Sequence, residues 1–409
     1  MTDQIAAYAE TADRVHAAAP AAAALLAGFN TCVDKLYHLD GATLDDLAAA
    51  TGALGESGLT GELLARIAAG RDGEVFVPAP VLAPGLEALL GEPERLQVGG
   101  TGAQAAWTLA TLGAPSVLAL ADRTAAQLAV LDPAIGLMDG PGLSTVGEVK
   151  PAGIATKPPH YIVEYTAGTR WRGGTVPRSS RIIVRLACDG IERDDDFAAL
   201  TPHTGAGLVS GMNGIAEDDT GSHRWLVGVL ERWRPAGLPL IHLELAEYPG
   251  AGALHRILER YGPHVHSLGL SLVELPGLHP SADPVHAAHA IAERHGLRRV
   301  CVHADEWSLS VHRDEPDRQV AALRTANLLA AARARAGAPT ADLTVSPAAT
   351  FATDLPTGGG LRDGWRADVV PTPYLARPAA TVGLGDTFVA GLLLASCVTT
   401  HTPEMETHR

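Results

Sequence analysis

Along most of the chain, short unbroken apolar runs alternate with longer stretches whose apolar positions recur every three to four residues. Leu240–Leu245, His266–Leu270 and Arg299–His303 read as strands, whereas Gly252–Tyr261, Asp283–His295 and Arg318–Ala336 carry the helical period. Strands that are apolar on both sides have no solvent face. The pattern therefore predicts a largely parallel sheet with helices on both surfaces, an α/β fold. Nearer the N-terminus, an Ala-rich helix leads into a strand at Leu25–Phe29, and Asn30–Lys35 reads as a polar turn. A helix at Gly102–Leu112 follows paired glycines, and Ser116–Leu120 reads as the next strand. Ligands of such sheets bind beyond the carboxyl ends of strands, and the polar motifs fall there.

Two segments break the rhythm. His160–Tyr165 and Arg181–Leu186 are strand-like and flank a Gly-rich turn at Gly168–Gly174, which predicts a hairpin in a lobe outside the main sheet. Residues Leu44 to Gly91 alternate helix-like stretches with Gly and Pro breaks.

Composition adds constraints. With 409 residues, 46% of them apolar, the chain can bury a large core and carry a further lobe. A formal charge of −15 repels nucleic acid and anionic lipid at long range, so neither is an expected partner. Arg170, Arg172, Arg178, Arg181 and Arg185 cluster locally; for most of them a solvated sheet edge is the better reading. Cys32, Cys188, Cys301 and Cys397 have no metal-binding spacing, and three of them sit among apolar residues, which fits buried thiols in a reducing, cytoplasmic setting. Acidic residues precede the Ala17–Ala27 run, so it does not read as a secretory signal, and no apolar stretch is long enough to span a membrane.

The segment with the most chemical content is Thr381-Val382-Gly383-Leu384-Gly385-Asp386-Thr387-Phe388, just before the apolar run Val389–Ser396. Two glycines one residue apart allow a sharp turn, and the unpaired amides of the following helix form an anion cradle. Asp386 in that first turn could accept the proton of a hydroxyl undergoing phosphoryl transfer. By itself Gly-x-Gly-Asp also fits an ordinary capped helix. The segment lacks the Gly-Lys-Ser/Thr ending of a P-loop, and the chain has no early dinucleotide fingerprint. His242 and Glu244 alternate to one side of a strand, and Glu274 follows a second strand. Two carboxylates converging near phosphates suit Mg²⁺, directly or through its waters, with His242 in support; no third donor has zinc spacing.

Taken together, several segments resemble the ADP-dependent glucokinase and phosphofructokinase family of the ribokinase-like superfamily. They run in colinear order: Gly28-Phe29-Asn30 with Val33-Asp34; Gly99-Gly100 with Gln104; His160 to Tyr165; Arg181-Ile182; Ser210-Gly211-Met212-Asn213; Ile241 to Glu244; Ser271 to Glu274; and the glycine–aspartate segment. The resemblance implies a ribokinase-like fold, with a large nucleotide-binding domain from 1–34, 98–150 and 190–409 and a smaller α/β lid from 35–97 and 151–189. It implies a kinase that moves the terminal phosphate of Mg-ADP to a sugar hydroxyl and leaves AMP, glucokinase-like ahead of phosphofructokinase-like. Its expected partners are a small sugar and the nucleotide, in a monomer or small homo-oligomer.

The resemblance also assigns roles. Asn30, Asp34, Gly99, Gly100, Gln104 and His160 would hold the sugar. Arg181, Asn213, Val382, Gly383, Leu384 and Gly385 would hold the nucleotide. Asp386 would be the base, with Arg181, Gly383 and Gly385 stabilising the transferred phosphate. Glu164, on the same side of its strand as Ile162, could be a partner or simply solvated. The chain departs from the family at Ser271, where the motif begins with Asn, and at Asn213, where Gln is common. Two alternatives stay open: an ATP-dependent ribokinase-like kinase of a sugar or nucleoside, and a non-catalytic small-molecule binder. A sugar phosphate as acceptor would call for extra cations, for which Lys157 or Arg172 are the candidates.

Overall fold

The computed structural model describes residues 2–154, 157–200, 204–248 and 252–398, so the expected domain segments 151–189 and 190–409 are described only within those limits. An eleven-stranded sheet forms the large domain. Its centre is parallel and runs, in spatial order, Arg299–His303, Ser267–Ser271, Ile241–Glu244, Thr204–Val209, Ala24–Gly28, Ser116–Leu118, Gly136–Asp139. Antiparallel strands close both edges: Trp307–His312, Arg366–Pro371 and Gly359–Gly360 on one side, Gly142–Thr145 on the other.

Strand alternation feeds two cores. Leu26, Val209, Leu243, Leu268 and Val300 pack under the helices Thr220–Trp233, Ala253–Tyr261 and Pro284–His295. Leu25, Ala27, Leu208 and Cys301 pack under Thr2–Ala18, Thr101–Thr111, Pro316–Ala336 and Leu384–Cys397. The Ala- and Gly-rich composition serves this second layer. At Gly391 a Cβ would lie 2.7 Å from Ala326 Cα, so the helices Leu384–Cys397 and Pro316–Ala336 meet backbone to backbone.

The segments expected to form the lid build a five-stranded sheet in the order Gly73–Phe76, Ser180–Arg185, His160–Tyr165, Cys32–Leu39, Arg95–Gly99. His160–Tyr165 and Ser180–Arg185 pair antiparallel, as the hairpin pattern predicts. The expected turn at Asn30–Lys35 is corrected: Cys32 already begins a lid strand, whose residue Asp34 pairs with His160 and Gln97. The smaller sheet therefore starts at Cys32 rather than residue 35 and extends to Gly99 rather than 97. One face of it buries Tyr37, Leu39, Tyr161, Val163, Ile182 and Val184 under short helices. The other face carries Asp34, His160, Ile162, Glu164, Arg181 and Ile183 toward the large domain, where Leu36, Ile162 and Ile183 pack on Val382.

Candidate active site

Two helix N-termini converge beneath the lid. Gly383 caps the helix Leu384–Cys397 with φ 74°, a left-handed conformation in which a side chain is strained. Gly100 caps Thr101–Thr111 with φ 91°. Asp386, in the first turn of one helix, accepts a hydrogen bond from Thr101 in the first turn of the other. Burial raises the Asp386 carboxyl above the ordinary aspartate value, while that bond, Arg333 and Arg181 act in the opposite direction. A raised value suits a group that takes up a proton.

Arg333 was not singled out in the sequence, yet it sits directly against this turn, where a Cβ at Gly383 would overlap its guanidinium. It is fully buried and donates from Nη1 to Gln104 Oε1 at 2.7 Å and Thr387 Oγ1 at 3.0 Å. Its Nε and Nη2 have no partner. Burial lowers its pKa to about 10, against the pull of Asp386. A buried, incompletely satisfied cation behind an anion cradle is electrostatically strong, because little water screens it.

A second group of residues lies where the lid strand Cys32–Leu39 leaves the main sheet. Asn30 Nδ2 donates to Asp189 Oδ2 at 3.0 Å, and its Oδ1 is buried without a partner. Asp34 Oδ1 is 3.6 Å from His160 Nδ1, and His160 Nε2 is 3.3 Å from Asp189 Oδ2. Burial lifts the Asp34 carboxyl to about 6, partly offset by His160. Asp189 behaves oppositely: burial works against its charge, but His160, Arg185 and Asn30 hold it well below the usual carboxylate range. Gly99 is required beside it, since a Cβ there would overlap Asp34 Oδ1; one at Gly100 would overlap the Asn30 carbonyl.

The third group is acidic. His242 Nε2 is 3.0 Å from Glu244 Oε2, and His242 Nδ1 is 2.8 Å from Ser267 Oγ. Glu244 Oε1 is 3.1 Å from Nε2 of His303, a residue that sequence reading missed although it ends a central strand. Burial opposes a charge on Glu244, yet bonds to the two histidines keep it below the ordinary range. Burial favours neutral His242; His303, although buried, is raised by Glu244, Glu274 and Asp386. Glu274 is pushed up to about 7, by burial first, with Glu244 adding repulsion. Ser271, the departure from the family motif, still fixes it: Ser271 N donates to Glu274 Oε2 at 2.7 Å and Glu274 N donates to Ser271 Oγ at 3.3 Å. His303 Cε1 would be 3.3 Å from a Cβ on Gly385, so this group abuts the glycine turn.

Several expected contacts are placed differently. Gln104 is engaged at both ends, donating to the Val98 carbonyl and accepting from Arg333, so it positions Arg333 rather than offering a free amide to a sugar. Asn213 donates to Glu74 Oε1 at 3.1 Å and to the Glu247 carbonyl at 3.3 Å, on the lid side rather than at the glycine turn. Arg181 pairs with Asp72 at 3.2 Å, with its Nε unpartnered. Val382 serves the lid contact, and Leu384 opens the helix. Glu164 is a partner: its Oε1 accepts from Thr381 N at 2.8 Å, Thr381 Oγ1 at 2.9 Å and Val382 N at 3.1 Å. Lys157 is locked to Glu192 and the Thr31 carbonyl, and exposed Arg172 pairs with Asp45. Glu74 and Asp189 both pair with Arg185; neither carboxylate stood out in the sequence.

A glycine-capped helix N-terminus, a carboxylate in its first turn and a smaller sheet facing both make this a two-lobed α/β protein with one convergent polar site. The family model for the ADP-specific phosphofructokinase/glucokinase conserved region matches residues 24–395. The ADP-dependent glucose/glucosamine kinase of Pyrococcus furiosus is 25% identical over 268 residues, 56% of this chain and 58% of that enzyme. Among solved structures, a phosphofructokinase from Pyrococcus horikoshii OT3 with AMP superposes at TM-score 0.69 and 18% identity, covering 92% of this chain and 98% of that one. An ADP-dependent kinase in complex with fructose-6-phosphate and ADPbetaS superposes at TM-score 0.79 and 19% identity, covering 98% and 99%. The chain belongs to the ADP-specific phosphofructokinase/glucokinase family, and it matches a little over half the length of the curated relative. Among the described residues, no helix is long and apolar enough to cross a membrane.

Proposed function

We propose that the protein transfers the terminal phosphate of ADP to a hydroxyl of an uncharged hexose, giving AMP and a sugar phosphate. The observation that carries this reading is Asp386 between two helix N-termini, with Arg333 behind the turn and the lid in front. A hydroxyl presented there would meet a base at the point where phosphate charge accumulates. Asp386 takes the proton of the attacking hydroxyl. The amides of Gly383 and Gly385, backed by Arg333, stabilise the charge on the transferred group.

Charge in the lid favours a neutral sugar over a sugar phosphate. Asp34, Asp189 and Glu74 line that side, and the nearby cations are already committed: Arg185 to Glu74 and Asp189, Lys157 to Glu192, Arg181 to Asp72. Asn30, Asp34 and His160 offer mixed donors and acceptors of the kind that read vicinal hydroxyls.

The donor set of Glu244 and Glu274 fits Mg²⁺, a hard cation that prefers oxygen and keeps part of its hydration shell. Both oxygens of Glu244 face histidines, so it would act through water, whereas Glu274 is the more direct donor. Bound there, Mg²⁺ would neutralise part of the phosphate charge.

The test is direct product analysis with Mg-ADP and with Mg-ATP against glucose, glucosamine and fructose 6-phosphate. The reading expects hexose phosphate with AMP as co-product. Turnover with ATP alone would assign an ATP-dependent kinase. Turnover with fructose 6-phosphate alone would refute the neutral-sugar argument. Calorimetric sugar binding with no product would identify a non-catalytic binder.

A further inference from the structure

Cys32, Asp34 and His160 are exposed by 0%, 4% and 8%, and their side chains converge at the lid root. Cys32 Sγ lies 3.3 Å from His160 Nδ1 and 3.5 Å from Asp34 Oδ1, and the latter two atoms are 3.6 Å apart. Zn–S, Zn–N and Zn–O bonds of about 2.3, 2.0–2.1 and 2.0–2.2 Å around a tetrahedral ion place such donors about 3.3–3.6 Å from one another. Taken pair by pair, that geometry asks for about 3.5–3.6 Å between sulfur and nitrogen, about 3.5–3.7 Å between sulfur and oxygen and about 3.3–3.5 Å between nitrogen and oxygen, so each edge of this triangle closes with a side-chain shift of about 0.3 Å or less. All three residues stand on strands, where alternation sends Cys32 and Asp34 to one face and the parallel register sets Asp34 beside His160.

A second observation points the same way. His160 Nε2 is buried without a hydrogen-bond partner and lies 3.3 Å from Asp189 Oδ2, close enough for that carboxylate to orient a metal-ligating histidine through its other nitrogen once the ring is held. Asp189 is itself fixed by Arg185 and Asn30. The Asn30 Oδ1 in this pocket is buried and unpartnered.

We propose that Cys32, Asp34 and His160 form a site for a borderline-soft divalent cation, Zn²⁺ or Co²⁺, that excludes the sugar from its pocket. A thiolate with imidazole and one carboxylate selects such ions over Mg²⁺, which belongs with the all-oxygen set at Glu244 and Glu274. On binding, the Cys32 S–H bond breaks, its proton leaves to solvent and the sulfur lone pair forms the metal bond; no redox change occurs. The fourth position remains for water. The competition rests on the proposed sugar role of Asp34 and His160; the metal site itself does not.

The test titrates Co²⁺ into the full chain and reads its electronic spectrum, because Zn²⁺ also binds nucleotide and would confuse an activity assay. The expected result is a thiolate-to-cobalt charge-transfer band with tetrahedral ligand-field bands, both lost on adding Zn²⁺ or millimolar glucose. Cys32→Ser, which leaves the proposed catalytic groups in place, abolishes the charge-transfer band and weakens cobalt binding at least tenfold, a lower bound set by losses of about 10–100-fold for mere outer-shell changes. Should Cys32→Ser be misfolded by circular dichroism, Cys32→Ala serves as the second variant with the same expectation. Absence of the band, or its persistence in the variant, overturns the metal site while leaving hexose phosphorylation untouched. A cysteine-dependent band that glucose does not displace overturns the shared pocket and with it the sugar placement.

Discussion

Replacing Arg333 by Met tests whether a buried cation behind the glycine turn serves chemistry or stability. The side chain is fully buried, and its pKa falls from 12.5 to about 10. At 1.36 kcal/mol per pH unit, keeping it charged costs the fold about 3 kcal/mol. Met removes that cost and nearly fills the volume. It also leaves Gln104 Oε1 and Thr387 Oγ1 each short of a donor, a loss of about 1–3 kcal/mol for a buried polar group, softened because Thr387 Oγ1 keeps Thr108 Oγ1 at 3.3 Å. These effects nearly cancel, so the variant should melt within about 4 °C of the parent. Catalysis has no such compensation: losing one preorganised charge at a developing oxyanion costs about 2.7–4 kcal/mol, or roughly 10²–10³ in kcat. The assay is calorimetric melting beside steady-state kinetics with Mg-ADP and glucose. Unchanged kcat, or a melting point lowered by more than about 10 °C, would refute the reasoning.

Three further perturbations probe other parts of the site. Gly99→Ala places a methyl onto Asp34 Oδ1 and should raise the sugar KM tenfold or more, about 1.4 kcal/mol, with the ADP KM unmoved; equal effects on both substrates would count against Asp34 as a sugar contact. Glu164→Ala removes the carboxylate that holds Thr381 and Val382 to the lid and should raise the ADP KM about tenfold, as expected for a charge-assisted bond of ~1.5 kcal/mol; unaltered kinetics would make that contact incidental. The acid limb of kcat/KM should lie above the ordinary aspartate value of about 3.9, because the proposed base must be unprotonated and burial raises Asp386. In Arg333→Met that limb should move to still higher pH, since a charge that lowers the Asp386 pKa is gone; movement to lower pH would contradict the assignment.

The parallel centre of the sheet was legible because strands such as Ile241–Glu244 and Ser267–Ser271 interrupt helices with short apolar runs. The antiparallel edge was not. Trp307–His312 buries Ser308, Ser310 and His312 as well as its apolar residues, with Ser310 bonded to Gln319 at 3.1 Å and His312 to Asp368 at 2.8 Å, so its polar positions mark no solvent face. The first residues of the strand Cys32–Leu39 read as part of a turn at Asn30–Lys35 because Asp34 and Lys35 interrupt its apolar residues. The glycine turn, Asp386 and the His242–Glu244 pair carry their chemistry within a few residues of sequence. Arg333 lies in a long Ala-rich helix, and His303 meets Glu244 only through neighbouring strands, so tertiary packing alone joins them to the site. The pairing of Lys157 with Glu192 spans different elements as well, which is why its availability to a phosphate could not be read from the chain.

The central claim is that Asp386 accepts the proton of the sugar hydroxyl. Asp386→Asn keeps the shape and the bond from Thr101 but removes the base. Single-turnover phosphorylation of glucose by Mg-ADP should slow by roughly 10²–10⁴-fold, with ADP affinity and melting temperature close to the parent's. A variant that turns over at the parental rate would contradict the account.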